Sequence, residues 1–161
     1  MQQIIIRRTR ECDIEELLAV QKSCYPPDLQ ENAHSFAAKI AQNFSFAAEK
    51  ENKIVAYFLA FPVDLSHFPA WNSVDVNAIN PNAFYLHDLA VHPAMRGTGL
   101  AQKLLHHVLA HRPQQLDDVF LIAVQNAQNF WEKQGFIAAD IPFLRRQVQS
   151  YGDDALLMRL K

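Results

Sequence analysis

Arg96-Gly97-Thr98-Gly99-Leu100-Ala101 is the run of this chain whose residue types and spacing point most directly to chemistry. It follows a strand-like segment, Tyr85 to Val91, passes a turn at Pro93 and opens straight into a helical pattern that ends near His111. The first turn of a helix has N–H groups without intrahelical partners, and its dipole favours negative charge. Small residues there let a phosphate approach the backbone closely. The pattern predicts an anion cradle fed by a strand, and so a phosphate-bearing ligand beside a sheet. Alone, such a loop is also how an ordinary glycine-containing turn starts a helix. The dinucleotide fingerprint would need a third glycine early in a βαβ unit. The nucleotide-hydrolase phosphate loop would need Lys-Ser/Thr where Ala101-Gln102 stands.

The elements that must position this loop follow from periodicity. Gln3 to Arg8 reads as a first strand, and Asp13 as the N-cap of a helix running to about Cys24. Asn32 to Gln42 is a second helix with Phe36 and Ile40 on one face. Phe44–Ala48 and Ile54–Phe61 are strands joined by a polar turn, a hairpin signal. Residues 62–82 form a long connection with Phe68 and Trp71 embedded. Connections longer than about 12–15 residues in compact domains are usually functional or disordered. Beyond the loop and its helix come a strand over Asp118–Val124, a short helix over Ala127–Gln134 closed by Gly135, and strands over Phe136–Ala139 and Ala155–Leu160. An early hairpin followed by strands separated by helices predicts an α/β (α+β) domain with a mostly antiparallel sheet.

At 161 residues, half of them apolar, the chain predicts one domain spanning 1–161. A net charge of -2 gives no electrostatic footprint for nucleic acid. No apolar run approaches the roughly 20 residues of a membrane helix, and no signal core follows the first residues. Cys12 and Cys24 would flank one helix about 18 Å apart, so two reduced thiols in a cytoplasmic protein are expected. His107 and His111 have metal-compatible spacing but no third ligand, so no metal is expected.

Two motifs together resemble the GNAT superfamily of acetyl-CoA-dependent N-acetyltransferases. Arg96-x-x-Gly99-x-Ala101, behind a strand ending Leu89-Ala90-Val91-His92-Pro93, is similar to the family's R/Q-x-x-G-x-G/A loop. Asn126-Ala127-Gln128-Asn129-Phe130-Trp131-Glu132-Lys133-Gln134-Gly135-Phe136 resembles its motif after the fifth strand. The resemblance covers nearly the whole chain. It implies the GNAT fold: a mixed, mostly antiparallel sheet of six to seven strands with about four helices, splayed between strands 4 and 5.

The resemblance also implies a ligand and a site. The coenzyme A pyrophosphate would sit on the N–H groups of Arg96, Gly97, Thr98, Gly99, Leu100, Ala101 and Gln102. The pantetheine arm would lie along Leu89, Ala90 and Val91. Leu89 and Val91 are two apart, so their backbone groups face the same strand edge. Asn126 either bonds the arm or caps the following helix. The Leu89 N–H would polarise the thioester carbonyl. His87, an imidazole with an ordinary pKa near 6.5, is the candidate base. It shares a strand face with Tyr85, while Asp88 falls on the opposite face, in a structural role or as a partner for a basic side chain. Trp131 lines the arm's end and stands where many members carry a tyrosine that protonates the leaving thiolate. Indole is a donor only, so Tyr151 or Tyr85 would replace that acid, or the thiolate would leave unprotonated.

On the acceptor side, Tyr25-Pro26-Pro27-Asp28 and the run from Phe61 to Trp71 predict an aromatic wall, with Asp28, Glu31 and Asp64 nearby. Such a wall suits an aromatic or alkyl amine. His87-x-Leu89-Ala90-Val91-His92 and Pro27-x-Leu29 resemble the arylalkylamine group in particular. The reading is an enzyme, monomer or homodimer, that acetylates a small primary amine by direct attack. Acetylation of a protein N-terminus or lysine is the alternative. A coenzyme A-binding regulatory module without turnover is a third, motivated by Trp131.

Overall fold

Glu51 (φ 53°) and Asn52 (φ 62°) supply two successive left-handed residues, the turn whose twist matches a hairpin. They join strand β2 (Phe46–Lys50) to β3 (Lys53–Val63). The chain, described over residues 2–161 in a computed structural model, adds β1 (Ile5–Arg8), β4 (Ala83–Val91), β5 (Val119–Ala123), β6 (Phe136–Ala138) and β7 (Leu156–Leu160). These seven form one sheet in the order β1-β2-β3-β4-β5-β7-β6. Its pairs are antiparallel except β4–β5, which is parallel. This is the α+β architecture that the motifs imply, a mixed and mostly antiparallel sheet.

Helices α1 (Ile14–Cys24) and α2 (Ala33–Ile40) cover one face, and α3 (Leu100–Ala110) and α4 (Gln128–Lys133) the other. Leu100, Leu104, Leu105 and Val108 recur at helical spacing and bury the inner side of α3 against Phe58, Phe84 and Leu86. Leu17, Val20, Phe36 and Ile40 do the same for α1 and α2 against Tyr57 and Leu59. A third cluster pins the long connection, where Phe68 packs edge-on against Tyr85 with ring centres 4.6 Å apart.

A fifth helix, α5 (Arg145–Gln149), lies where the sequence pattern predicts no element. It has five residues, too few for a 3.6-residue period to register. Among the described residues, no helix is long and apolar enough to cross a membrane.

Asp13 departs from its expected part. It stands at the N-cap of α1 but makes no side-chain cap bond. Its carboxylate instead accepts two bonds from Arg7 (2.7 and 2.9 Å) and one from the Arg10 N–H (2.7 Å). Arg7 also holds Glu49 at 2.9 Å, so one guanidinium ties β1, β2 and the entry to α1 together. A cap bond satisfies one N–H, whereas this site offers a carboxylate two charge-assisted bonds and a backbone donor. Burial would raise the Asp13 pKa, but the Arg7 bonds and charge outweigh it and hold the group below the usual range.

Asp13→Asn is therefore expected to destabilise the fold by about 1.5–3 kcal/mol at neutral pH. A carboxylate with a lowered folded pKa contributes above its unfolded value near 3.9 and loses that contribution as pH falls through the folded value. Urea unfolding should show the difference from the parent protein holding from pH 7 to about pH 5 and shrinking as pH falls through and below about 4. A constant difference would place the effect in packing rather than charge.

Candidate active site

β4 carries one residue more than β3 at its centre. Leu59 lies opposite Asp88 and Ala60 opposite Leu86, which leaves His87 as the extra, bulged residue. The bulge breaks the strict alternation assumed from sequence. Tyr85 lies opposite Phe61 and Asp88 opposite Leu59, so both face the same side of the sheet. The expected placement of Asp88 on the other face is corrected for that reason.

The same strand loses its other neighbour. β4 pairs with β5 only from Phe84 to Leu86, then runs on to Val91 with β3 alone beside it. The His92 N–H donates to the Val55 carbonyl (2.8 Å), so Ala90 also turns toward β3. Leu89 and Val91 turn the other way, to the open edge. There the Val91 carbonyl accepts from the Cys24 thiol (3.2 Å), and the Leu89 carbonyl lies 3.1 Å from the Tyr25 hydroxyl, whose one proton it shares with Asp88.

At the far end of that edge, Gly97 (φ 77°) and Gly99 (φ 81°) bend the chain into α3. A Cβ on either would meet nothing within 4 Å, so backbone conformation rather than crowding calls for glycine. The first backbone bond into the helix runs from Lys103 to Gly99 (3.1 Å). Within the described residues, no group accepts from the N–H of any residue from Gly97 through Gln102. Leu100 is buried and fixes the start of the helix, while Arg96, Thr98 and Gln102 are exposed.

Loop and open edge border one cleft of about 320 Å³. Arg96 and Ala101 line one end, Leu89, Ala90 and Val91 the middle, and His87, Trp131 and Tyr151 line it toward the other end. Asn126 does not line it. With a φ of 60° it turns into a small neighbouring depression beside Gln128, and Val124 and Gln125 form the cleft wall instead. Nor does its side chain cap α4.

Trp131 is buried in this wall, its indole edge-on to Phe136. Tyr151 follows α5 and packs edge-on against the His87 ring, with centres 5.9 Å apart. Its hydroxyl is buried without a hydrogen-bond partner, and burial raises its pKa. At neutral pH it remains a protonated donor.

His87 is held at both nitrogens. Nε2 lies 2.5 Å from Glu31 Oε1 and Nδ1 lies 3.3 Å from the Tyr85 hydroxyl. The imidazole and the Glu31 carboxylate are 2% and 4% exposed. Glu31 also accepts from Lys39 Nζ (3.0 Å) and from the Ser35 hydroxyl. Lys39 donates to Ser35 Oγ (2.5 Å) and to the Ser73 carbonyl (3.0 Å). The Gln21 amide clamps the Glu31 backbone, donating to its carbonyl and accepting from its N–H. Burial alone would raise the Glu31 pKa, but the charges and hydrogen bonds of His87 and Lys39 hold it far below the carboxylate range. Burial lowers the Lys39 pKa, with Glu31 opposing. Asp88 accepts from Tyr57 (2.7 Å) and Tyr25 (2.8 Å), and burial raises its pKa.

Sequence reasoning named Glu31 only as an acceptor-side acid. It missed Ser35 and Lys39 altogether. Residues 31, 35 and 39 recur every fourth position beside the apolar Phe36 and Ile40, Glu31 just ahead of the N-cap and Ser35 and Lys39 on the buried side of α2, and that spacing was the available signal. Of the three acids expected near the acceptor, Glu31 lines the cleft. Asp28 is exposed, and Asp64 caps a short turn through Ser66. Trp71 and Leu29 supply the apolar wall, and the Trp71 N–H bonds Ser150, next to Tyr151. His107 and His111 stack at 4.2 Å, and no group of three metal-capable side chains occurs among the described residues.

Solved structures share this frame. The loading GNATL domain of CurA from Lyngbya majuscula superposes with a TM-score of 0.83 at 14% identity, covering 99% of this chain and 98% of that one. The GphF GNAT-like decarboxylase in complex with isobutyryl-CoA gives 0.77 at 16% identity, with 97% and 98% covered. Arabidopsis thaliana Naa50 in complex with the bisubstrate analogue CoA-Ac-MVNAL gives 0.69 at 19%, with 98% of both chains covered. At such identities these likenesses concern the fold. No curated protein matches the chain in sequence. A sequence profile of the Acetyltransferase (GNAT) family matches residues 12–136, most of the strands and helices just described, and the chain belongs to that family.

Proposed function

We propose that this chain transfers an acetyl group from acetyl-CoA to the primary amine of a small aromatic or alkyl molecule by direct attack. The observation that carries the reading is the joining, in one cleft, of unpaired loop N–H groups, an unpaired strand edge and a bulged histidine. The N–H groups of Gly97 to Gln102 match a pyrophosphate, with Arg96 beside them. Leu89 and Val91 offer the edge on which an extended, amide-bearing arm adds like a strand. The Leu89 N–H then faces the thioester carbonyl as its polariser.

His87 takes the proton that an ammonium must lose before it can attack. Both cleft carboxylates, Glu31 and Asp88, are engaged within the protein, so Trp71, Leu29 and Tyr151 select the acceptor by apolar contact rather than by a free acid. Tyr151 meets the departing sulfur as a hydrogen-bond donor. Its raised pKa makes it a poor proton donor to a thiolate, whose conjugate acid ordinarily titrates near 8.5.

Thiol release from acetyl-CoA, measured across small amines and peptide N-termini, tests the reading. Turnover with aromatic or alkyl amines is expected. Turnover confined to peptides would instead identify a protein acetyltransferase, and tight acetyl-CoA binding without any release a regulatory module. His87→Ala should lower kcat/KM by about 10²–10⁴-fold and abolish the rise of rate with pH. Retention of that rise would remove His87 as the base.

Gly99→Val forces a β-branched residue to the φ of 81° that starts α3. It should raise the KM for acetyl-CoA at least about 10-fold while kcat holds, the pattern of lost uniform binding. A parallel fall in kcat with unchanged KM would count against the loop as the phosphate cradle.

A further inference from the structure

The mechanism above uses one imidazole, yet that imidazole belongs to a buried row of ionisable groups running His87, Glu31, Lys39. All three side chains are 4% exposed or less. A carboxylate and an ammonium are rarely placed so deep without a task, because each loses its hydration.

The row has a direction. Glu31 accepts from Lys39 and from Ser35, which makes it the anion of the group. The contact with His87 needs one proton between Nε2 and Oε1, and that proton therefore sits on Nε2. A neutral imidazole carries only one N–H, so Nδ1 is left with the lone pair. The group at Nδ1 is the Tyr85 hydroxyl, 3.3 Å away. A hydroxyl can donate to an unprotonated Nδ1 and, by rotating, accept from a protonated one.

From this geometry, and resting on the reading of His87 as the base, we propose that Glu31 is a positioning residue that fixes the His87 tautomer and leaves Nδ1 to receive the acceptor's proton through the Tyr85 hydroxyl. In the step, the ammonium N–H bond breaks and its proton passes to the Tyr85 oxygen, while the Tyr85 O–H bond breaks and its proton forms the Nδ1–H bond. The electron pair stays on the amine nitrogen for attack. The imidazolium charge meets the Glu31 carboxylate, and Lys39 and Ser35 keep that carboxylate ionised and aimed. The Gln21 clamp on the Glu31 backbone serves the same aim.

The other titratable groups near the ring are Tyr85 and Asp88 on its own strand, with Tyr57 and Tyr25 bonded to Asp88, and Tyr151 from beyond α5. The tyrosines stay neutral because burial raises their pKa values. Asp88 is common to every variant below and cancels in the comparison.

Nitrogen-15 spectra of His87 in the intact parent protein, at a pH where the ring is neutral, read the tautomer without a mutation. Protonated Nε2 and unprotonated Nδ1 are expected, and the reverse overturns the proposal. Two variants then read the charge. Glu31→Gln keeps the shape and removes the anion, so the acid limb of kcat/KM should move to lower pH by about one unit or more. Its kcat should fall about 10-fold. Lys39→Met removes the cation, and the limb should move to higher pH. A row that serves packing alone would lower Tm in both and leave the limb in place, which overturns the proposal. The two readings also fail separately. An unchanged pH profile in His87→Ala removes His87 as the base, whereas an Nδ1–H tautomer in the parent removes only the hold of Glu31 on the ring.

Discussion

One residue too many on β4 governs what this sheet can do. Had β4 matched β3 residue for residue, Tyr85 and Asp88 would lie on opposite faces and His87 would be an ordinary member of the ladder. The bulge places His87 between them, close to Glu31, Tyr85 and Tyr151 at once. Bulges also bend and twist the strand that carries them. Pairing with β5 ends at Leu86, just before the bulge, and Leu89 and Val91 are left facing an edge with no strand beside it, their N–H groups open to a ligand and their carbonyls bonded by Tyr25 and Cys24. A side chain and an unpaired strand edge come from one local irregularity.

That arrangement costs stability, which the surroundings offset. His87, Glu31 and Lys39 are nearly without solvent, and a buried ion without partners would be strongly destabilising. Each is therefore bonded more than once, and the last donor in the row ends on a backbone carbonyl, that of Ser73, in the long connection between β3 and β4. The connection thus has two attachments. Phe68 packs on Tyr85 from above, and Ser73 receives Lys39 from the side. Its length follows from having to reach both, and from delivering Trp71 to the cleft between them.

The fold was largely legible in the sequence because its signals are local. Alternation marked the strands, the polar turn from Glu49 to Lys53 the hairpin, and Gly97 and Gly99 the start of α3, each within a few residues. The site was legible where it too is local: the loop and Leu89 to Val91 lie within 14 residues of one another. What escaped was non-local or too short. Glu31 and His87 are 56 residues apart and meet only when α2 docks on the sheet. The bulge leaves no mark in β4 itself, since its register is defined by β3. Asp13 looked like a cap because a cap needs only neighbours, while Arg7 competes for it across the β1–α1 junction. Asn126 sat at the expected place in the motif, and a left-handed backbone turned it out of the cleft.

The exchange of a tyrosine for Trp131 looks different once Tyr151 is placed. The indole fills the wall beside Phe58 and Phe136, where a phenol would leave part of that volume empty. The hydroxyl at the cleft comes instead from a segment after α5, pinned by the bond between Ser150 and the Trp71 N–H. It arrives buried near the Tyr85 hydroxyl with no well-formed hydrogen bond, and a buried donor left so is costly. A ligand atom able to accept that bond recovers the cost on binding, most fully if its negative charge is developing. In the proposed reaction the departing sulfur is such an atom. The phenol need not surrender its proton, because a hydrogen bond in a site that excludes water stabilises a thiolate without creating a buried tyrosinate.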